Sequence, residues 1–187
     1  MRSAAASSTA PLDASAWVEA AFDLLAEGGI DAVRVDPLAK RLGVTRGSFY
    51  WHFKDRDALH QAMLRAWRER ANYTVFDRVE GRSESPRVRL ERLLALPYSS
   101  PRSARMAAIE LAIRLWARRD KQAAKAVRHI DRVRLEYFSK LLQEHGLDQR
   151  QARRRALLFY AALMAEAFIV TDDRAAVELD ELLGPNA

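Results

Sequence analysis

Apolar residues recur along this 187-residue chain at the three- and four-residue spacing of an amphipathic α-helix. The first such stretch follows Asp13 and ends at Gly28-Gly29, and its apolar positions are Trp17, Ala20, Ala21, Leu24 and Leu25. Asp13 is a suitable N-cap and Gly28 a suitable C-terminal stop. The pattern therefore predicts a first helix over this stretch.

Further short helices are predicted immediately after it. One runs from Val35 to Leu42, keeps Pro37 in its opening turn, where proline is tolerated, and ends at Gly43. The next begins after the N-cap Thr45 and reaches Phe53. Another begins after the N-cap Asp55, and its apolar face consists of Leu59, Ala62, Met63, Ala66 and Trp67.

The polar segment 77–86, which contains Gly, Ser and Pro, separates these helices from a second helical region. The helices predicted there are Arg87 to Leu96, about Ser103 to Arg119, about Lys121 to His145, Gln149 to Val170, and Asp173 to Leu183. We therefore expect an all-α protein of about nine helices. It would have a disordered lead-in at residues 1–12, a head of three short helices at residues 13–57 and a larger helical body at residues 58–187.

Composition narrows the class of protein. The chain has no cysteine, which excludes a disulfide framework, a thiol nucleophile and cysteine-ligated metal, and which fits a reducing cytoplasm. The segment MRSAAASSTAPL lacks the apolar core of a secretory signal. The longest nearly apolar run, residues 156–170, contains Glu166 and is shorter than the roughly 18 residues of a membrane span. We expect a soluble, cytoplasmic protein with no membrane partner.

The net charge of +6 does not by itself indicate a nucleic-acid partner, because the basic excess lies in the middle of the chain. Lys and Arg number 10 against 10 Asp and Glu in residues 1–77, 20 against 9 in residues 78–155, and 1 against 6 in residues 156–187. The middle segment is predicted to be a solvated helix face, with a second DNA contact or an anionic-effector site as alternatives. It includes Arg114, Arg118, Arg119, Lys121, Lys125, Arg128, Arg132 and Arg134.

Residues 35–53 have the pattern of a helix-turn-helix. Ala39 is small, as required where a second helix crosses closely, and Gly43 suits a tight turn that needs a special backbone angle. The apolar residues that would fill the space between the two helices are Leu38, Leu42, Val44 and Phe49.

The consecutive aromatic residues after Arg46 divide into two faces on a helical wheel. Phe49 and Phe53 define the buried side, and Trp51 lies opposite, next to Gly47 and Ser48. Glycine allows close approach to DNA, Ser and Arg can hydrogen-bond base edges, and aromatic rings can contact thymine methyls. The alternative is a hydrophobic cluster in which all of the rings only hold short helices together.

Residues 15–67 resemble the N-terminal domain of TetR-type transcriptional regulators. The resemblance is carried by VDPLAKRLGVTRGSFYWHFKDRDAL, residues 35–59, which matches almost every defined position of the family's motif. It implies recognition of DNA by the third helix and a phosphate contact at Arg56, where the family usually has Lys. The chain departs from the family at Arg34 and Pro37, around the usual Ser or Thr cap. The DNA-binding residues expected are Arg34, Arg46, Gly47, Ser48, Tyr50, Trp51, His52, Lys54 and Arg56.

The run ALLFYAALMAEAFIV, residues 156–170, is apolar on nearly all faces and is therefore either a core helix or a subunit interface. In TetR-like proteins the last two long helices pack against their symmetry mates, so the resemblance implies a homodimer. Two recognition helices in successive major grooves predict an inverted-repeat operator in double-stranded DNA. The interface residues expected are Leu158, Leu163, Phe168, Leu179, Leu182 and Leu183.

The function predicted is a dimeric repressor that a small-molecule effector releases from its operator. Its effector site is expected among body side chains that are equally candidates for the core: Tyr98, Met106, Trp116, Phe138, Tyr160 and Met164. No cofactor, metal or catalytic residue is expected, because no ordered nucleophile and base, metal-ligand spacing or Gly-rich phosphate loop occurs. The alternatives are an activator or a ligand-free regulator of the same fold, and an all-helical enzyme or ligand carrier with a merely structural helix-turn-helix.

Overall fold

The computed structural model describes residues 12–80, 84–95, 100–169 and 178–183, apart from the side chains of residues 72–80 and 166–168. Over these ranges the chain is helical and contains no strand, which confirms the expected all-α fold. The helices are α1 (Ala14–Gly28), α2 (Val35–Leu42), α3 (Arg46–Tyr50), α4 (Arg56–Glu80), α5 (Pro86–Ala95), α6 (Pro101–Ala117), α7 (Lys121–Glu144), α8 (Gln149–Phe168) and α9 (Leu179–Leu183), with a 3₁₀ turn at Ile30–Ala32.

The chain divides into two compact units, Met1–Met63 and Leu64–Ala187, which we call the head and the body. The division falls within α4, somewhat beyond the boundary at residue 57 that the sequence indicated. Residues 1–11 of the expected lead-in lie outside the described residues. Each unit has its own buried side chains, so each is described separately.

Helix α1 starts as predicted but ends differently. The Asp13 carboxylate accepts a hydrogen bond from the Ala16 amide at 2.9 Å, which satisfies one of the free N–H groups of the first turn. Gly28 is the last helical residue, and Gly29, with a φ of 70°, is the residue that ends the helix. Gly28 is required for a different reason, because a Cβ there would lie 2.9 Å from the Cβ of Ala32.

The core of the head is built from aromatic and aliphatic side chains. Trp17 and Phe49 are fully buried and pack edge to face, with their ring centroids 5.4 Å apart. This contact attaches α3 to α1. The other buried residues of the head include Val18, Ala20, Ala21, Phe22, Leu25, Ile30, Val33, Leu38, Ala39, Phe53, Leu59 and Met63.

In the body, α5, α7, α8 and α9 share one hydrophobic core, which we call the body cluster. The Phe138 ring lies at its centre, 5.0 Å from the Phe159 ring and 5.7 Å from the Tyr160 ring. The buried members are Leu90, Leu93, Tyr137, Phe138, Leu141, Leu142, Leu147, Ala152, Ala156, Phe159, Tyr160, Leu179 and Leu183. None of them comes from α6, whose own buried residues are Ile109, Ala112, Ile113 and Trp116.

Side-chain caps set the starts of the body helices. The Asp120 carboxylate accepts from the Ala123 amide at 2.7 Å, and Asp148 and Gln151 form a reciprocal capping box. Helix α6 begins at Pro101, earlier than the predicted Ser103, because proline is favoured in a first turn. The last predicted helix is described only from Glu178 onward.

No helix in the described ranges is long and apolar enough to cross a bilayer. No three His, Cys, Asp or Glu side chains in those ranges are grouped so as to hold a metal ion.

Candidate nucleic-acid interface

The turn between α2 and α3 depends on Gly43. This residue has a φ of 68° and a ψ of 30°, the left-handed conformation in which a Cβ is strained. Immediately after it, the Val44 amide donates to the Ala39 carbonyl at 3.0 Å and closes the end of α2. The predicted role of Gly43 is therefore confirmed.

Helix α3 is shorter than the sequence indicated. It ends at Tyr50 rather than Phe53, because its last turn tightens and the His52 amide bonds to the Phe49 carbonyl, three residues back, at 3.0 Å. Thr45 occupies the N-cap position, as predicted, but its side chain makes no capping hydrogen bond. The first turn is held instead by the backbone bond from Ser48 to the Thr45 carbonyl at 3.1 Å.

The aromatic residues of α3 and the following turn separate into two groups. Phe49 is 0% and Phe53 7% exposed, and their rings lie 5.5 Å apart in the head core. Tyr50 is 56% and Trp51 88% exposed. This division of burial was predicted from the wheel and is confirmed, and it excludes a cluster that buries all of the rings. Contact of the two exposed rings with DNA stays a prediction.

Polar residues surround the two exposed rings. Arg46 and Gly47 on α3 and Lys54 after it are exposed, while Ser48 and His52 are half-buried. The His52 ring lies 6.4 Å from the Trp17 ring, so it packs partly against the head core. Arg46, Gly47 and Lys54 are thus open to solvent beside the two exposed rings.

Two of the expected DNA-binding arginines have protein partners. The Arg46 guanidinium forms an ion pair with the Asp36 carboxylate of α2 at 2.9 Å, and both side chains are about two-thirds exposed. The Arg56 Nη2 group donates to the Ile30 carbonyl at 2.7 Å and so ties the start of α4 to the 3₁₀ turn. Arg34 is exposed at the N-cap position of α2 and makes no side-chain cap bond, in agreement with its departure from the family's pattern.

The residues expected to bind an effector lie in different parts of the body. Phe138 and Tyr160 belong to the body cluster, and Met164 packs against it. Trp116 is buried on α6 outside that cluster, Met106 is half-buried, and Tyr98 lies outside the described residues. The structure therefore brings only part of the predicted set together.

The expected interface residues also divide into two groups. Leu158 is 49% exposed, and Leu163 is partly buried against the body cluster. Leu179 and Leu183 are buried inside that cluster and Leu182 packs against it, so their apolar surface is covered within one chain. The side chain of Phe168 lies outside the described ones. Leu157, which was not singled out from the sequence, is 59% exposed beside Leu158.

The basic middle segment is not uniformly solvated as predicted. Arg134 is 9% exposed, and its guanidinium binds both oxygens of Glu110, at 2.6 and 3.0 Å. Arg114 binds Glu110 and Asp131, with shortest distances of 2.8 and 2.7 Å. The Tyr160 hydroxyl forms hydrogen bonds with Arg114, Arg134 and Asp131. We call this set of connected side chains the ion network; its members are Glu110, Arg114, Asp131, Arg134 and Tyr160.

The number of Lys and Arg residues in this segment did not reveal the ion network. The buried positions of α7 include Ala126, Ile130, Tyr137 and Leu141, and the helical period places Arg134 on the same face. The position of Arg134 on this apolar face was the sequence signal that it is buried. Burial would raise the pKa of the Glu110 carboxyl, but the charges of Arg134 and Arg114 hold this pKa below its ordinary value. Burial raises the pKa of the Tyr160 hydroxyl to about 12.

The geometry of the head defines a class of protein, the helix-turn-helix DNA-binding proteins. Residues 18–63 match the family described as "Bacterial regulatory proteins, tetR family". Over 51 residues the chain is 47% identical to the tetracycline repressor protein class A from transposon 1721 of Escherichia coli, a match that covers 25% of this chain and 24% of that one. The chain thus spans about a quarter of the length of the curated relatives it matches.

Solved structures extend the similarity of fold to the body. A transcriptional regulator from Rhodococcus sp. Rha1 superposes with a TM-score of 0.71 over 84% of this chain and 82% of the other, at 24% identity. FadR from Bacillus subtilis, solved in complex with stearoyl-CoA, superposes with a TM-score of 0.60 over 82% and 84%, at 16% identity. The head therefore has the helix-turn-helix DNA-binding domain of the TetR family of transcriptional regulators, and the body shares the fold of these solved structures.

Proposed function

We propose that this regulator is a repressor that binds an inverted-repeat operator as a homodimer and leaves it when a small-molecule effector binds the body. The observation that carries the DNA-binding part is the exposure of Trp51 and Tyr50 beside the buried Phe49. A folded domain seldom leaves two adjacent large aromatic side chains in water without a partner. Double-stranded DNA is a partner that a helix-turn-helix is built to take.

The major groove fits the surface around these rings. Gly47 allows the backbone of α3 to approach base edges, and Arg46 can exchange its weak, exposed pair with Asp36 for a base or phosphate. Lys54 and Arg34, both exposed, lie near the ends of the surface and supply phosphate contacts. Arg56 keeps its bond to the Ile30 carbonyl and has other N–H groups free for a phosphate.

The homodimer is supported by the exposed side of α8. Leu157 and Leu158 are exposed together, one and two turns after the exposed arginines Arg150, Arg153 and Arg154. An apolar patch next to a basic one on a single helix is suited to a two-fold contact, in which the same surface is used twice. We place the centre of the interface at Leu157 and Leu158 rather than at Leu179 and Leu183, which the body cluster already covers.

An effector site in the body is supported by the relative that holds a ligand. FadR from Bacillus subtilis has a similar fold and was solved in complex with stearoyl-CoA, so a protein of this fold can bind a small molecule. An effector that prefers one arrangement of the body weakens DNA binding, and DNA weakens effector binding by the same factor. The residues that we keep as candidates for the site are Met106, Trp116, Phe138, Tyr160 and Met164.

Selection of bound DNA from a random pool tests the proposal directly. The full-length protein should enrich an inverted repeat whose half-sites are one helical turn apart, because a two-fold dimer presents two copies of α3. Trp51→Ala should enrich nothing above background. The matched control is Leu115→Ala, which removes an exposed apolar side chain from the body and should enrich the same repeat as the parent. Enrichment of no sequence by the parent would overturn the proposal.

A further inference from the structure

The ion network joins three helices through directional bonds. Helix α6 contributes Glu110 and Arg114, α7 contributes Asp131 and Arg134, and α8 contributes Tyr160. The Tyr160 hydroxyl accepts hydrogen bonds from Arg114 at 2.6 Å and from Arg134 at 3.1 Å and donates to Asp131 at 2.7 Å. A hydroxyl has one hydrogen and two lone pairs, so this one is saturated.

The carboxylates are similarly occupied. Glu110 receives bonds from Arg134 on both oxygens and from Arg114 on one, and Asp131 binds Arg114 and Tyr160. The Nε group of Arg134 is buried and has no acceptor in the described part of the chain. The network contains two cations and two anions, so it is balanced without a ligand.

Such a network is a poor source of stability. Removing charges from water is costly, and well-packed apolar residues of similar volume often give an equally stable protein. Hydrogen bonds, however, require particular positions, whereas apolar contacts tolerate sliding. This difference matters for α6, since its buried residues are small or aliphatic apart from Trp116, and none belongs to the body cluster that holds α7 and α8 together.

The charges of α6 discriminate against the nearest alternative packings. Movement by one turn, about 5.4 Å, replaces each side chain by the one four positions away. In one direction Arg114 takes the place of Glu110 and faces Arg134. In the other direction Glu110 takes the place of Arg114 and faces Asp131, while Met106 faces Arg134. Both shifts bring like charges together in a largely buried place, which is strongly unfavourable.

We propose that the ion network is a register lock, which holds α6 at one position along α7 and α8. The lock thereby maintains the arrangement of the body in which the protein binds operator DNA through its heads. Only the second half of this inference, the effect on operator binding, rests on the proposed function. The first half concerns the body alone and is testable without DNA.

A double variant separates locking from stability. Glu110→Met with Arg134→Met replaces the most buried charge pair by apolar side chains and leaves Arg114 paired with Asp131 and Tyr160. The matched control is Arg132→Met with Glu136→Met, which removes an exposed pair from α7. Amide hydrogen exchange, thermal unfolding and affinity for the selected operator are measured on full-length protein.

The lock predicts a selective effect. In the Met double variant the amides of α6 should exchange at least about tenfold faster, with α7 and α8 unchanged and the Tm within about 3 °C of the parent. Its operator affinity should fall at least about tenfold, while the control matches the parent throughout. Unchanged exchange in α6, or faster exchange in all three helices with a large fall in Tm, would show that no register lock exists.

The remaining outcomes are also decisive. Faster exchange in α6 with unchanged operator affinity would show that the lock does not affect DNA binding, although the proposed function would stand. A parent that enriches no operator would end the proposed function, while the exchange data still decide the lock. If the double variant does not fold, Tyr160→Phe removes only the hydroxyl and should loosen α6 by itself. Parent-like exchange in that variant would overturn the lock.

Discussion

The head exposes large aromatic side chains, whereas the body buries charged ones. In the head, Trp51 and Tyr50 are exposed and Phe49 is buried, all within three consecutive positions. In the body, Arg134 and Glu110 are largely buried, while Leu115 and Leu157 are exposed. The pattern in the head follows from neighbours on one short helix. The pattern in the body depends on partners 24 and 26 positions away in sequence.

This difference shows where local reasoning succeeds. A side chain whose face is set by its own helix can be assigned from a wheel, as Phe49 was. A side chain whose burial requires a partner on another helix cannot, because a wheel contains only one helix. Paired substitutions at buried and exposed positions of each unit test this contrast.

The largest effect is expected from the buried ring of the head. Phe49→Ala should lower the free energy of unfolding by about 3 to 5 kcal/mol, because it empties a fully buried site against Trp17. Trp51→Ala, two residues on, should change it by less than about 0.5 kcal/mol while removing operator binding. Denaturant unfolding and a binding assay on both variants check this pair. If both variants lost the same free energy of unfolding, Trp51 would belong to the core of the head.

A comparable loss is expected when one partner of the ion network is removed. Arg134→Met leaves the Glu110 carboxylate in a largely buried place without its main partner and should cost about 3 kcal/mol. Arg132→Met, on the exposed face of the same helix, should cost less than about 0.5 kcal/mol. If urea unfolding gives both variants the same midpoint, Arg134 is solvated as its neighbours are, and the contrast with the head disappears.

The dimer provides a prediction of intermediate size. Leu158→Glu puts a carboxylate into the proposed two-fold contact and should weaken association at least about tenfold without unfolding the body, because Leu158 is half exposed in one chain. Sedimentation velocity over a dilution series measures the change. Leu115→Glu, at a position on α6 that is 58% exposed, is the control and should associate as the parent does. A Leu158→Glu variant that still dimerises normally would move the interface elsewhere.

The pKa of Glu110 predicts how the stability of the body depends on pH. Its folded-state pKa is lowered from 4.5, so the unfolded chain binds the proton more tightly. The stabilisation is therefore present above about pH 4.5 and is lost as the pH falls below it. The free energy of unfolding of Glu110→Gln should fall less steeply with acid than that of the parent. Asp180→Asn, which removes an exposed partner of Arg87, should keep a nearly parental slope.

The smallest effect concerns a phosphate contact of the head. Lys54→Gln should weaken operator binding a few-fold and reduce the slope of log affinity against log salt by about one, equally for matched and mismatched DNA. Fluorescence anisotropy at several salt concentrations gives the slope. An unchanged slope would show that Lys54 does not contact a phosphate, although the recognition surface around Trp51 would be unaffected.

Most of the fold was accessible from the sequence. Asp13, Asp120 and Asp148 marked helix starts because a carboxylate can bond the free N–H groups of a first turn only at that position. Gly43 marked the turn of the helix-turn-helix because it tolerates a positive φ. The end of α3 and the uncapped Thr45 were missed, since the tightening of a last turn and the rotation of a hydroxyl depend on surrounding packing.

By itself the sequence determined the order of the helices, the buried and exposed rings of α3, and the resemblance of the head to TetR-type regulators, because each depends on residues that are close together along the chain. Only the tertiary structure decided that Arg114 and Arg134 are partners of Glu110, and that Leu179 and Leu183 belong to the body cluster. The physical reason is that burying a charge requires its counter-charge nearby, and here the counter-charge comes from another helix.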